Sequence, residues 1–445
     1  MSSLTVSDFL NGDMREYSKY DNDRSIPNIM DGLKITQRKV IKTMLNGREN
    51  SNEIKVAQLA SYVAAETDYH HGEGSVSGSI VTMALNYPGT NNYQLMVDSG
   101  QFGSRINPVS AADRYIFTQL SPNFRKFFKK EDDAIVTPQY SDGMEIEPEF
   151  FIPVVPMILL NSVSGIGTGF ACDIQPREIE PVVEAIRSLL QGKAPLRIPP
   201  AYRGFKGTVE SGDSESQWII RGVARIANTT TIEISELPIG LSLVKLQTHL
   251  ISMMEAGVIK GYDDNSNKKS GFKITVHCTR DYVARFKKQD QLLKEFKLIT
   301  KVSENLTVWL PNGKLKNFTN EIELIKEFLK LRLPYLQIRK DDLLNKMSID
   351  IAKKTARMKF IRIFLANSKS MLDMTKQQII DFCVTEHGME KAEVETNLQI
   401  RIYDITADMI PKLEEELSSL VESENKLRNT TTESIYLSDL KAVLK

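Results

Sequence analysis

Glu321-Ile322-Glu323-Leu324-Ile325-Lys326-Glu327-Phe328-Leu329-Lys330-Leu331-Arg332 opens a run, residues 321–365, with few helix breakers apart from Pro334. Apolar side chains return at Ile322, Ile325, Phe328, Leu329, Leu336, Leu343, Leu344, Met347, Ile351, Met358, Ile361 and Phe364, the spacing of a helix face. A run this long exceeds an ordinary globular helix and predicts a long coiled-coil arm. Pro334 is expected to kink it, because proline removes a hydrogen bond and crowds the preceding turn. A second helix, residues 406–428, carries Met409, Leu413, Leu417, Leu420 and Leu427. With a compact insert at 368–404 between them, the helices predict an antiparallel arm ending in a tip. Two helices alone bury little, so such a tip calls for a partner, most simply a second copy of the chain.

Working back from the arm, residues 151–310 change character. Residues 219–226 and 230–236 alternate like the strands of a hairpin, 272–278 reads as another strand, and 242–256 as a helix. This is the pattern of an α+β domain. Residues 26–130 read instead as short helices joined by turns. Asp31-Gly32 marks a turn, and 35–45 has helical apolar spacing at Ile35, Val40, Ile41 and Met44. The other face of that helix carries Lys34, Arg38, Lys39 and Lys42. Residues 55–66 read as a further helix, and Gly72, Gly74 and Gly78 interrupt the pattern before it resumes at 80–85. Short helices with one cationic face suit a helix-turn-helix or winged-helix module. A solvated surface explains the same face equally well.

Composition sets the outer limits. The chain has 445 residues, room for roughly two to four domains. Lys+Arg and Asp+Glu are 57 each, which argues against a uniformly basic coat but leaves a local basic groove open. Cys172, Cys278 and Cys383 form no CxxC pair, so a reducing compartment is expected and a zinc site is not. The first residues show no secretory pattern, and no apolar run reaches membrane-spanning length. A cytoplasmic protein is expected. No GxxxxGK[ST] phosphate loop is present, so this chain is not expected to bind ATP.

One stretch carries chemistry of its own. Gly100-Gln101-Phe102-Gly103-Ser104-Arg105 leads to Ala111-Ala112-Asp113-Arg114-Tyr115-Ile116. A tyrosine beside an arginine, reached through a glycine-punctuated turn, can attack phosphorus while the guanidinium holds phosphate oxygens. Alternatively, Tyr115 is one of 14 tyrosines, half buried on an apolar segment. The acidic run Glu131-Asp132-Asp133 reads as a solvated loop, and no metal cluster is apparent.

Several segments, in order along the chain, resemble one family, the DNA breakage-reunion part of type IIA topoisomerases. They are Arg24-Ser25-Ile26-Pro27-Asn28-Ile29-Met30-Asp31-Gly32-Leu33-Lys34 with Gln37-Arg38-Lys39-Val40, Tyr69-His70-His71-Gly72-Glu73, and the Tyr115 region. Gly165-Ile166-Gly167-Thr168-Gly169 with Ile174, Glu236-Leu237-Pro238, and Phe328-Leu329-Lys330-Leu331-Arg332 follow. Their wording is closer to the eukaryotic topoisomerase II core and the T-even bacteriophage medium subunit than to the bacterial gyrase breakage subunit.

The resemblance implies a multidomain α+β chain: an N-terminal arm (1–24), a winged-helix domain with the catalytic tyrosine (25–150), an α/β tower domain (151–319), and a coiled-coil arm (320–445). The arm's helical tip, about 368–404, would form a dimerising exit gate. The implied activity is that of an ATP-dependent type II topoisomerase. A homodimer breaks both strands of double-stranded DNA through 5′-phosphotyrosyl bonds and passes a second duplex through the gap. Tyr115 would be the nucleophile, with Arg114, Arg24 and His71 around the phosphate. Lys34, Arg38 and Lys39 would contact the DNA backbone, and Ile174 would wedge between base pairs. Ser75 and Ser77 could cap a helix facing phosphate. Mg2+ would sit mainly on the TOPRIM region of a partner subunit, which would also carry the ATP. Gly74 and Gly78 stand where gyrase anchors fluoroquinolones through a serine and an acidic residue, so a weak response to that class is implied. A different class of reading is a non-catalytic DNA-bending scaffold that kept the fold. The intact Arg114-Tyr115 pair favours the enzyme, because a scaffold has no need of that hydroxyl.

Overall fold

The computed structural model describes residues 5–50, 52–401 and 408–445. They form two compact units. Leu333–Ser438 is one; the described residues through Arg332, with those from Asp439 onward, are the other.

The first unit begins with helices α1 (Val6–Asn11), α2 (Asp13–Ser25), α3 (Ile35–Leu45), α4 (Val56–Glu66) and α5 (Glu73–Ala84). Helices α3, α4 and α5 pack on one another through Val40, Ile41, Met44, Leu59, Ala60, Val63 and Ile80, all fully buried. Ile54–Lys55 pairs antiparallel with Phe117–Thr118, which returns the chain to α4 just after the Asp113–Tyr115 turn.

A four-stranded antiparallel sheet runs in the order Gly261–Asp264, Ile274–His277, Thr231–Glu236, Val223–Asn228. Helix Leu243–Glu255 covers it with Leu243, Leu246, Leu250 and Met253, and Ser242 caps that helix by accepting from the Lys245 N–H. The expected strand at 219–226 is two strands in two different sheets. Gln217–Arg221 pairs with Thr208–Ser211 and Ile299–Ser303, whereas Val223–Asn228 pairs with Thr231–Glu236. The switch is at Gly222, where a Cβ would stand 2.4 Å from the Glu236 carbonyl oxygen. A uniform apolar alternation hides such a break.

The hairpin Val163–Gly167/Phe170–Ile174 packs its first strand on α2 and its second on strand Leu306–Trp309. A Cβ on Gly165 would be 1.9 Å from the Ser25 carbonyl oxygen, so only glycine permits this approach. Backbone bridges Asn28–Trp309 and Asp173–Asn305, and the buried ion pairs Arg177–Glu304 (2.7 Å) and Arg332–Asp132 (2.8 Å), join distant segments. The first unit therefore continues across residues 150 and 319.

In the second unit, helical dihedrals pass through Pro334 and break at Asn367 (φ −121°, ψ 21°), within helix Glu321–Leu372. The departure from helical dihedrals thus falls at Asn367 and not at Pro334. Met409–Asn429 runs antiparallel to this helix: Lys340 donates to the carbonyls of Arg428 and Thr430, while Lys354 and Arg362 pair with Glu416 and Glu414. The expected start of that second helix, residues 406 and 407, lies outside the described residues. The insert has a core of its own. Lys376–Thr385 and Lys391–Asn397 bury Ile380, Cys383 and Val394 against Phe360 and Met371.

Candidate active site

Tyr115 ends a single 3-10 turn, Asp113–Tyr115, closed by its N–H donating to the Ala112 carbonyl (2.9 Å). Gly100 and Gly103, at φ +116° and +111°, turn the approaching chain. Arg105 fastens that approach, donating through Nη2 to the carbonyls of Leu237 and Pro238, both at 2.9 Å. The Ser77 hydroxyl donates to the Asp113 carboxylate (2.8 Å), tying the turn to α5.

The tyrosine so held is 68% exposed, and its hydroxyl has no hydrogen-bond partner among the described residues. The Arg114 guanidinium carbon lies 5.1 Å from the Tyr115 ring centroid. A cation and an accessible phenol thus share one surface turn, the arrangement that nucleophilic attack on a phosphodiester needs.

A second cluster gathers at His71. The Tyr20 hydroxyl is 2.5 Å from His71 Nε2, Tyr69 meets the imidazole edge-on at 5.4 Å, and Arg24 lies 5.9 Å from the Tyr20 ring. Burial, then the Arg24 and His70 charges, holds the His71 pKa below its ordinary value, so the imidazole is neutral near pH 7. In the tautomer that accepts from the Tyr20 O–H at Nε2, the imidazole proton sits on Nδ1. The structure joins Arg24 to His71 through Tyr20, and Arg114 to Tyr115. Among the described residues no hydrogen bond or ion pair links the two groups.

The expected phosphate-contacting face of α3 is turned inward. Arg38 is buried and pairs with buried Asp31 (2.9 Å). Lys39 is buried between Glu147 (2.8 Å) and the Thr67 carbonyl, and Lys42 pairs with Glu145. Lys34 donates to the Ser164 carbonyl (2.7 Å), and burial lowers its pKa. Arg38 and Lys39 are thereby corrected from DNA contacts to internal ion pairs: their charge is neutralised by carboxylates the sequence places far away or across a turn.

Ile174 is corrected too. It is 0% exposed, inside the core, where no base pair can reach it. Ile166, eight residues earlier on the same hairpin, is 85% exposed. The sequence offered a signal for it: an isoleucine among Gly165, Gly167 and Gly169 has few neighbouring side chains to pack against. Ser75 and Ser77 lie inside α5, whose N-cap is Gly72 with no side-chain cap, so neither is a cap. Tyr20 was also missed, although it precedes Arg24 by one helical turn.

Among the described residues no three His, Cys, Asp or Glu side chains gather as a metal site, and no helix is long and apolar enough to cross a membrane.

A family model for the A subunit of DNA gyrase/topoisomerase IV matches residues 24–441. DNA topoisomerase 2-alpha of Cricetulus griseus is 40% identical over 367 residues, covering 80% of this chain and 24% of the relative. The mitochondrial DNA topoisomerase 2 of Dictyostelium discoideum is 32% identical over 453 residues, covering 99% of this chain and 35% of the relative. The chain thus spans about a quarter to a third of the curated relatives it matches. A crystal structure of the Plasmodium falciparum topoisomerase II DNA-binding, cleavage and re-ligation domain superposes with a TM-score of 0.91 at 30% identity, over 99% of this chain and 64% of that one.

Proposed function

Because the chain belongs to the family of DNA gyrase/topoisomerase IV A subunits, we propose that it is the DNA cleavage–religation subunit of an ATP-dependent type II topoisomerase. The observation that carries this reading is Tyr115, held on a tethered turn beside Arg114 with its hydroxyl unpartnered among the described residues.

The Tyr115 oxygen attacks a backbone phosphorus of duplex DNA. The tyrosyl O–P bond forms as the P–O3′ bond breaks, the 3′-oxygen departs with a proton, and the 5′-phosphate stays on the tyrosine. One phosphate ester replaces another, so the reverse attack reseals the strand without an external energy source. A phenol ionises near pH ~10, so the attacking group needs cationic help at neutral pH. Arg114 supplies it beside the ring. Arg24 and the neutral imidazole of His71, held by Tyr20, add donors as the bound DNA brings the phosphate to them. Ile166, exposed on its glycine-flanked hairpin, replaces Ile174 as the apolar wedge that unstacks a base step and bends the duplex.

Two copies cut the two strands, and a second duplex crosses the gap. The helices α3–α5 with their small strand pair would serve as the winged-helix DNA-binding region. The sheets would form the tower, and the antiparallel helix pair with its tip the exit gate between two copies. Among the described residues no three His, Cys, Asp or Glu side chains gather, and the Asp113 carboxylate is engaged by the Ser77 hydroxyl. Mg2+ and ATP belong in this reading to an ATPase/TOPRIM partner.

The test is a suicide-cleavage assay with the partner, magnesium and nicked DNA. The wild-type chain should yield a covalent adduct and Tyr115→Phe none. A normal adduct from Tyr115→Phe would overturn the assignment.

A further inference from the structure

A cavity of about 750 Å3 in the first unit has no part in the chemistry above. It opens between the Gly103–Arg105 loop, the end of strand Thr231–Glu236 and the loop around residues 267–272. Five of its lining residues are cationic, Arg105, Arg203, Lys206, Lys268 and Lys269, against one carboxylate, Glu236. Glu236 is largely occupied by backbone: it accepts from the Leu237 N–H (3.0 Å) and the Lys206 N–H (3.4 Å), and burial pushes its pKa up. Lys206, Lys268 and Lys269 make no salt bridge among the described residues.

Arg105 is the cation most firmly fixed in the wall. Its Nη2 is used on the Leu237 and Pro238 carbonyls, while its Nε is buried without a hydrogen-bond partner among the described residues. That N–H is closed off from the cavity as well, so Arg105 lends the cavity its positive charge and not a free donor. The walls also carry ring surface, with Tyr87 half-buried and Phe272 buried beneath the Arg105 guanidinium at 5.7 Å. Small-molecule pockets typically measure ~300–1,000 Å3 and combine apolar walls with a few fixed polar groups.

We propose that this cavity binds a small phosphorylated ligand of nucleotide size, with its phosphates among the three exposed lysines in the field of Arg105 and its organic part against Tyr87. A duplex carries its phosphates on a convex surface, whereas these cations line a concave cavity of small-molecule volume. The cavity-lining residues Gly103, Ser104 and Arg105 belong to the approach to Tyr115, so occupancy would stiffen the loop that presents the nucleophile. The proposal goes beyond the cleavage reading and does not depend on it.

Calorimetric titration of the full chain with ADP, and separately with inorganic pyrophosphate, tests the proposal. Saturable ADP binding is expected, weakened about tenfold or more in the triple variant Lys206→Ala/Lys268→Ala/Lys269→Ala. These lysines are exposed, and an unchanged circular dichroism spectrum would show the variant folded. Pyrophosphate binding with the same lysine dependence identifies the phosphate subsite; ADP binding alone shows that the ring contact is required. Absence of saturable binding by both probes at millimolar concentration overturns the proposal, as does ADP binding indifferent to the triple variant. Displacement of ADP by a short duplex, with the same lysine dependence, would assign the cavity to DNA and also overturn it. None of these results bears on the Tyr115→Phe assay, which uses no such ligand.

Discussion

Helix α3 and the Asp113–Tyr115 turn both offer cations in a pattern that suits phosphate, and the fold treats them oppositely. On α3, Arg38 and Lys39 meet Asp31 and Glu147 inside the protein, and Lys42 meets Glu145. On the turn, Arg114 lies against the face of Tyr115, and both are exposed. A basic residue is available to a ligand when no carboxylate has claimed it, and that depends on what folds back against it. Asp31 is close in sequence to α3; Glu145 and Glu147 are more than 100 residues away and arrive on a strand pair and its flank.

The sharpest way to break this contrast is Tyr115→Phe. Its hydroxyl supports nothing in the fold, so thermal stability should stay within about 0.5 kcal/mol. Adduct formation and strand passage by the assembled enzyme should fall below detection, measured on a nicked suicide substrate. Arg38→Met should do the reverse. It leaves the buried Asp31 carboxylate unpaired, a cost of about 3–5 kcal/mol visible as an earlier first transition in urea. The slope of log K for DNA against log salt should not change, whereas a true phosphate contact would reduce it by about 1.

The two isoleucines of one hairpin sharpen the contrast further. Ile174→Ala should cost about 2–5 kcal/mol as a core cavity. Ile166→Ala should leave stability nearly unchanged and reduce DNA bending, read by energy transfer between labelled duplex ends. Destabilisation by Ile166→Ala instead would remove it from the wedge role.

The smallest effect is expected at Tyr20→Phe. The folded His71 pKa lies below its unfolded value, so in the window between them the unfolded chain binds more protons. The stability contributed by neutral His71 is therefore present above the ordinary histidine range and lost as pH falls through the folded pKa. Cleavage should persist to a pH below that range. Tyr20→Phe removes a hydrogen bond that favours the neutral form, so the acid limb should move to higher pH, with activity down several-fold, about 1 kcal/mol. An unmoved pH profile would leave Tyr20 a packing residue.

Much of the fold was legible because its signals are local. The helix at 242–256, the hairpin partner at 230–236 and the long helix from Glu321 follow from periodicity, and the structure places elements at Leu243–Glu255, Thr231–Glu236 and Glu321–Leu372. Gly222 was not legible, because the strand alternation reads straight through it and only the Glu236 carbonyl makes glycine necessary. The core of the tip escaped for a similar reason. It joins Phe360, Ile380 and Val394 from separate helices, and no single stretch reveals that they meet.

The sequence by itself determined the nucleophile candidate, the ordered motifs and the helix and strand periods, because each resides in residues adjacent or one turn apart. Tertiary structure decided which cations remain available, which isoleucine is exposed, and that Tyr20 holds His71. The Tyr20–His71 and Lys39–Glu147 contacts join residues 51 and 108 positions apart, and even Arg38–Asp31 forms only once the chain folds back across a turn. Burial and pairing are properties of the packed chain, and packing is where identical side chains acquire different free energies.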